Sequence, residues 1–317
     1  MGDVMKMTGE TRKRYEYYQE LVSSKLVGFE KISECMMVAL MVKGHVLLEG
    51  PPGVAKTMFA KTFASLVDAD FKRVQFTPDL LPTDILGTVI YDPTSKRFST
   101  RFGPVFTNIL LADEINRASP KTQAALLEAM EERQVTIEGK TYPLPEPFMV
   151  IATENPVEQE GTYPLPEAQL DRFLFKINVE YPSEDNELRV LKAKFSADAQ
   201  KRVPKVFSRG ECAAMARELE GVYVSEHIMK FVSSIINSMR KNPSIAWGPS
   251  SRASISSINV GKALALLEER DYVLPQDITR YAHWILHHRI GLGPEFELEG
   301  VTTDEIAGKA IEAADSL

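Results

Sequence analysis

Lys56 and Thr57 close the string Gly50-Pro51-Pro52-Gly53-Val54-Ala55-Lys56-Thr57, whose residue types and spacing suit the capture of a polyphosphate. Successive backbone N–H groups in such a turn point at phosphate oxygens, and the N-terminus of a following helix adds a favourable dipole. In this reading Lys56 reaches the β and γ phosphates and Thr57 sets its hydroxyl on Mg2+. Pro52, Gly53, Val54 and Ala55, with Met58 on the first helical turn, form the rest of the cradle. The general pattern has Gly where this chain has Ala55, and so small a side chain is tolerated there if the local backbone is helical rather than left-handed.

Two acids end the apolar run Ile109-Leu110-Leu111-Ala112-Asp113-Glu114. Strands of a parallel sheet present their carboxyl ends to the ligand crevice, so this run and the phosphate loop can meet at one site. Asp113 would then hold Mg2+ through water, and Glu114 would act as general base on the water that attacks the γ phosphate. The alternative is that the pair only caps the next helix. Val150-Ile151-Ala152-Thr153-Glu154-Asn155 is a second strand with a polar end, where Asn155 either holds the attacking water or serves as a turn residue before Pro156. Leu170-Asp171-Arg172-Phe173 places Arg172 in a short helix before a strand; its planar fork suits transition-state phosphate oxygens, although most single arginines are solvated surface residues.

These groups need a scaffold, and the pattern supplies one. His45-Val46-Leu47-Leu48 reads as a buried parallel strand, and Met58 to Ala64 reads as the helix after the loop. Strands are expected at 45–49, 72–76, 109–113, 148–152 and 173–179, alternating with helices; the fold class is α/β, a parallel sheet in an αβα sandwich. Hairpins are expected at 88–104, turning at Asp92-Pro93-Thr94-Ser95, and at 134–143, turning at Gly139-Lys140. Helices precede this core at Thr11 to Val22 and Lys31 to Val42. Pro182 interrupts the pattern, so the nucleotide-binding core is expected over 1–182 and an all-helical domain over 183–317. Helices of this second domain are expected at 184–197, 208–219, 225–241, 252–269 and 275–287, with no β-rich run and an acidic tail from Glu295 that is a short helix or loosely docked.

The bulk properties bound the function. A chain of 317 residues exceeds what one core usually serves, and 44% hydrophobic content supports packed cores over disorder. A net charge of −7 argues against a general polyanion binder. Cys35 and Cys212 match no metal or redox spacing and read as core thiols of a reducing compartment. Met1 to Glu20 is polar and charged, and no apolar run approaches a membrane span, so the expectation is a cytoplasmic protein without membrane insertion.

Longer strings carry a specific resemblance. They are His45 to Thr57, Gln75 to Asp84, Leu110 to Ala118, Pro120 to Gln123 and Glu128 to Val135, and above all Asn155-Pro156-Val157-Glu158-Gln159-Glu160-Gly161-Thr162-Tyr163-Pro164-Leu165-Pro166-Glu167-Ala168-Gln169-Leu170-Asp171-Arg172-Phe173. Over about residues 26–290 the chain resembles an AAA+ ATPase of the MoxR family, in which Ala at the position of Ala55 is usual. The resemblance implies a P-loop core with Lys56 and Thr57 as the Walker A pair, Asp113 and Glu114 as the Walker B pair, and Asn155 as sensor 1. It implies that Arg172 is an arginine finger acting on a neighbouring subunit's nucleotide, and that Arg252 is sensor 2 at the start of a lid helix. The family string more often has Pro at Ser251, which leaves the arginine's role intact. Val27 and Gly28 match the segment that touches adenine, and the two hairpins match the helix-2 insert and the presensor-1 hairpin, both facing the pore of a ring.

The implied cofactors are ATP/ADP and Mg2+. The implied partners are copies of the chain in a homo-oligomer, a hexameric ring, together with a separate von Willebrand A-domain protein and a protein client. A finger supplied in trans means that no single chain holds a complete site, and head-to-tail contacts close only at a fixed number. The rival reading is nucleic-acid remodelling, which Lys96, Arg97 and Arg101 on the first hairpin support and the net charge of −7 opposes.

Overall fold

Apolar runs too short for helices build the middle of the central sheet of the computed structural model, which describes residues 9–94, 96–156, 161–195 and 203–315. Along the chain, α1 (Gly9–Lys25) and α2 (Glu30–Met41) precede β1 (Val46–Glu49), which leads into α3 (Lys56–Leu66) and β2 (Phe71–Gln75). A short α4 (Pro82–Leu86) opens the hairpin of β3 (Gly87–Asp92) and β4 (Arg97–Phe102). After β5 (Ile109–Asp113) come α5 (Pro120–Glu132) and a second hairpin of β6 (Gln134–Ile137) and β7 (Lys140–Pro143). The core closes with β8 (Met149–Glu154), the short α6 (Glu167–Leu170) and β9 (Phe175–Asn178).

Five of these strands form one parallel sheet in the order β2-β5-β8-β1-β9. Their side chains alternate between two apolar layers. Val46, Leu48, Ile109, Leu111, Met149 and Ile151 join the layer that holds Met36 of α2 and Phe59 of α3. Leu47, Leu110, Ala112, Val150 and Ala152 join the layer that holds Leu126 and Met130 of α5. Burial on both faces is why the inner strands β1, β5 and β8 read as near-continuous apolar runs rather than alternating ones, while the edge strands β2 and β9 carry polar residues. The expected strands all form, with ends shifted by one or two residues; β9 starts late because Phe173 still belongs to the preceding turn, its N–H bonded to Leu170 at 3.0 Å. The second hairpin turns at Glu138-Gly139, one residue earlier than expected, because both adopt the positive φ (45° and 78°) that a tight two-residue turn requires. Ser95 of the first turn, Val157 to Glu160 of the long string and the end of the helix expected at 184–197 lie outside the described residues.

A helical lid follows: α7 (Glu184–Lys194), α8 (Arg209–Glu218), α9 (Glu226–Arg240), then a short β10 (Ile245–Trp247) and α10 (Ser251–Leu267). It ends with α11 (Pro275–Thr279), α12 (Ala282–Leu286), β11 (Gly291–Leu292), α13 (Pro294–Leu298) and α14 (Thr303–Asp315). Three expectations change here. The lid is not purely helical, since β10 and β11 pair antiparallel, and the Trp247 ring occupies the space where a Cβ on Gly291 would stand. The helix expected over 275–287 is two helices, because Tyr281 leaves helical geometry (φ −127°, ψ 14°), stacks on Trp284 and donates to Glu34 of α2. The tail is firmly docked: α14 buries Ile306, Ala307 and Ala310.

The apolar layer under α2 continues without a break into α9, α10, α12 and α14, so the lid extends one face of the sandwich. Cys35 and Cys212 are free thiols buried in that layer. No helix among the described residues is long and apolar enough to cross a membrane.

Candidate functional site

The loop between β1 and α3 is shaped by two left-handed residues, Gly53 (φ 86°) and Ala55 (φ 61°). Nothing lies within 4 Å of where a Cβ on Gly53 would be, so the concave side stays open for a ligand. Ala55 does not take the helical backbone expected of a tolerated substitution; its φ and ψ of 61° and 19° are left-handed. Its carbonyl accepts the first N–H bond of α3, from Phe59 at 2.9 Å, so the helix start pins the conformation. A left-handed alanine costs roughly 1–2 kcal/mol. Ala55→Gly is therefore expected to raise unfolding stability by about 1 kcal/mol; a lower melting temperature in a thermal denaturation of the nucleotide-free protein would contradict this.

Lys56 folds back over the loop, its Nζ donating to the carbonyls of Gly50 (2.6 Å) and Glu154 (3.2 Å). Burial lowers its pKa, while Asp113, Glu114, Glu49 and Glu154 pull the other way. Asp113 is the hub of the acid end. One carboxylate oxygen accepts from Thr153 Oγ1 at 2.6 Å; the other accepts from Arg73 Nε at 2.9 Å and lies 3.4 Å from Thr57 Oγ1. A hydroxyl and a carboxylate at that separation are hard oxygen donors suited to one small cation, so the residues fit Mg2+. Glu114 is left-handed (φ 56°, ψ 53°), a conformation that is strained outside glycine. Its N–H donates to Thr153 Oγ1 at 2.8 Å, and its carboxylate accepts from Gln75 at 2.8 Å and Arg117 at 3.0 Å. Glu114 makes no side-chain cap on the turn at 115–117, so the pair does not serve as a helix cap.

The sheet order explains the convergence. β8 lies between β1 and β5, so Thr153, Glu154 and Asn155 emerge between the phosphate loop and the two acids. Glu154, half-buried there, has its pKa pushed up to about 7 by desolvation, against the pull of Lys176. A cavity of about 360 Å³ is lined by residues 52–58 together with Asp113, Glu114, Thr153 and Asn155. A second cavity, of about 540 Å³, shares Gly53, Val54 and Ala55 with it and is lined by Val27, Gly28, Tyr181, Asn186 and Trp284. The phosphate loop, the acids, Asn155 and the Val27-Gly28 turn thus meet in one continuous cleft. Sequence reasoning missed Arg73, Gln75 and Thr153. Their signal was positional: Gln75 ends β2 in register with Asp113, and Thr153 lies near the end of β8.

Arg172 and Arg252 are elsewhere. Arg172 is in the turn after α6 rather than within it, its N–H bonded to the Gln169 carbonyl at 3.2 Å. That turn enters β9 beside the start of β1, where the Leu174 N–H donates to the His45 carbonyl at 2.8 Å. The phosphate loop leaves the opposite end of β1, about 13 Å away at the usual rise per strand residue. Arg172 pairs with Glu131 at 3.0 Å, and Arg252 pairs with the other oxygen of Glu131 at 2.7 Å. Both line a cavity of about 240 Å³ with Asp171 and the buried Arg289, which are paired at 2.8 Å. Two arginines held side by side on one acid, away from the chain's own phosphate loop, form a cationic edge that a ligand from outside can meet.

Comparison with known proteins agrees with this geometry. Residues 45–175 match the family described as "ATPase family associated with various cellular activities (AAA)", and residues 237–309 match "AAA lid domain". The chain is 47% identical to "Uncharacterized protein YeaC" of Bacillus subtilis, over 93% of this chain and 92% of that one. It is 46% identical to "Chaperone MoxR1" of Mycobacterium tuberculosis, over 84% and 73%. A crystal structure of a "putative ATPase" from Cytophaga hutchinsonii superposes with a TM-score of 0.89 at 42% identity, covering 95% of this chain and 94% of that one.

Proposed function

Because this chain belongs to the MoxR family of AAA+ ATPases, we propose that it hydrolyses ATP to ADP and phosphate at sites shared between neighbouring subunits, and uses the cycle for chaperone-like remodelling of a partner protein complex. The observation that carries this reading is the separation of Arg172 and Arg252 from the chain's own phosphate loop by the length of β1. Head-to-tail packing that brings one subunit's arginine edge to the next subunit's cleft closes into a ring, and we take its number as six.

Within a shared site, the Val27-Gly28 turn receives adenine and residues 52–58 the phosphates. Thr57 and Asp113 would hold Mg2+, Asp113 through water, and the ion would supply positive charge against the phosphates. Lys56 exchanges its two carbonyl partners for phosphate oxygens. Glu114, once released by Gln75 and Arg117, takes a proton from water that Asn155 orients. The neighbour's Arg172, with Arg252 beside it, meets the charge that grows on the γ phosphate.

The insert hairpin supports a polypeptide client. Phe98 is 74% exposed and packs on the exposed Tyr91, giving the tip an aromatic surface for apolar side chains. A separate von Willebrand A-domain protein is the proposed adaptor, and the proposed place of work is the cytoplasm. Lys96, Arg97 and Arg101 on the same hairpin keep nucleic acid as the competing client. Single- or double-stranded DNA is expected to change the ATPase rate by less than about twofold at moderate salt. Several-fold, salt-sensitive stimulation would instead assign the hairpins to nucleic acid. Affinity capture with Glu114→Gln held in ATP, followed by identification of the retained proteins, tests the client class directly.

A further inference from the structure

We propose that His283, His287 and Asp304 form a binding site for one divalent transition-metal ion, with zinc the best match, at the seam between the lid and the sheet. The two histidines are one turn apart, on α12 and the 3-10 turn that continues it, and their rings stack with centroids 5.1 Å apart. Asp304 reaches them from the first turn of α14. Its Oδ1 lies 2.8 Å from His287 Nδ1 and 3.3 Å from His283 Nε2, and the three donor atoms all fall within 4.8 Å of one another.

The hydrogen bonding of His287 selects the atom that faces the site. Its Nε2 lies 2.9 Å from the Lys176 carbonyl, which can only accept, so Nε2 carries the proton. In the neutral ring Nδ1 is then a lone pair aimed at a carboxylate oxygen. Two acceptors at that distance need a positive centre between or beside them. A proton on Nδ1 would join only the His287–Asp304 pair, whereas a metal ion uses all three donors at once. Ligands bonded to zinc at 2.0–2.1 Å in tetrahedral geometry lie roughly 3.3 Å apart. The Asp304–His283 spacing already has that value, and the Asp304–His287 spacing needs to open by about half an ångström.

The surroundings are those of a ligating set. The bond from His287 to a backbone carbonyl fixes its tautomer and ring plane, as outer partners of metal-bound histidines do. His287 is buried while His283 and Asp304 are each somewhat over two-fifths exposed, so a metal has an entry path and room for water as fourth ligand. The nearby Lys176 ammonium is paired with Glu49 at 2.8 Å, which offsets its repulsion. His288 turns away to the Phe173 carbonyl and is not part of the set. Two imidazoles and a carboxylate favour a borderline ion over Mg2+, which prefers oxygen ligands, so this is no second seat for the magnesium of ATP. The ion would join α12 and α14 and brace His287 against β9, the strand beside the phosphate-loop strand.

Metal-stripped full-length protein should be titrated with Co2+ and then Zn2+ in millimolar Mg2+. The expected result is one equivalent of Co2+ with the intense visible bands of a four-coordinate centre, displacement by Zn2+, and a rise in melting temperature with either ion. Asp304→Asn and His283→Ala alter partly exposed side chains and are expected to keep the fold, checked by melting without metal. Each is expected to weaken binding by about tenfold or more and to remove the bands. His227→Ala, distant in sequence on α9, should change neither. Absence of a stoichiometric cobalt centre, or equal affinity in the parent and both site variants, would overturn the proposal.

Discussion

Arg172→Ala is expected to bind ATP nearly as well as the parent and to hydrolyse it about 10³–10⁵-fold more slowly. Binding is spared because Arg172 lies beyond the far end of β1 from its own loop, among Glu131 and the Leu127 carbonyl. Stability is spared too. The Arg172–Glu131 pair is partly exposed, such pairs contribute about 0–1 kcal/mol, and Glu131 keeps Arg252 as partner. A large loss of turnover therefore cannot come from unfolding. Nucleotide-binding titration alongside steady-state ATPase measurement separates the two effects. Normal activity in this variant would require another source of positive charge at the γ phosphate.

Glu114→Gln should hold ATP and lose hydrolysis by about 10²–10⁴-fold, whereas Lys56→Ala should fail to bind nucleotide at all. The contrast follows from what each side chain touches. Lys56 is bonded to one carbonyl of the loop, Gly50, and one at the end of β8, Glu154, and in the proposed site it trades them for phosphate oxygens, so it acts before the reaction begins. Glu114 is held by Gln75 and Arg117, and an amide in its place still accepts from both while losing the basicity that water activation needs. Single-turnover kinetics after equilibrium binding distinguish the two. Wild-type turnover in Glu114→Gln would remove Glu114 from the role of base.

The parallel sheet was legible because both its faces are covered. Ile109 to Ala112 and Val150 to Ala152 had to be apolar throughout, and that pattern leaves little besides a buried strand. The cleft was legible because its groups lie within a few residues of those strand ends. What was hidden depends on contacts across the fold. The left-handed state of Ala55 is set by the start of α3, and the string Pro-Gly-Val-Ala-Lys does not announce it. The split at Tyr281 follows from a partner, Glu34, some 247 positions away. Gln75 and Arg73 belong to the site only because β2 lies beside β5, an order no local pattern encodes. The union of Arg172 and Arg252 on Glu131 joins residues from the core and the lid that nothing in their own segments relates.

If each site is built from two chains, as proposed, a mixture of Arg172→Ala and Glu114→Gln proteins should recover the ATPase activity that each lacks. Neither parent alone can assemble a complete site. In a mixed ring, an Arg172→Ala subunit contributes an intact Glu114 to a cleft whose arginine comes from a Glu114→Gln neighbour, so that interface is whole. Turnover is expected clearly above the sum of the two parents, largest near equal proportions and dependent on total protein concentration. A mixture that never exceeds that sum at any ratio, with wild-type protein turning over at a concentration-independent rate as a monomer, would contradict it.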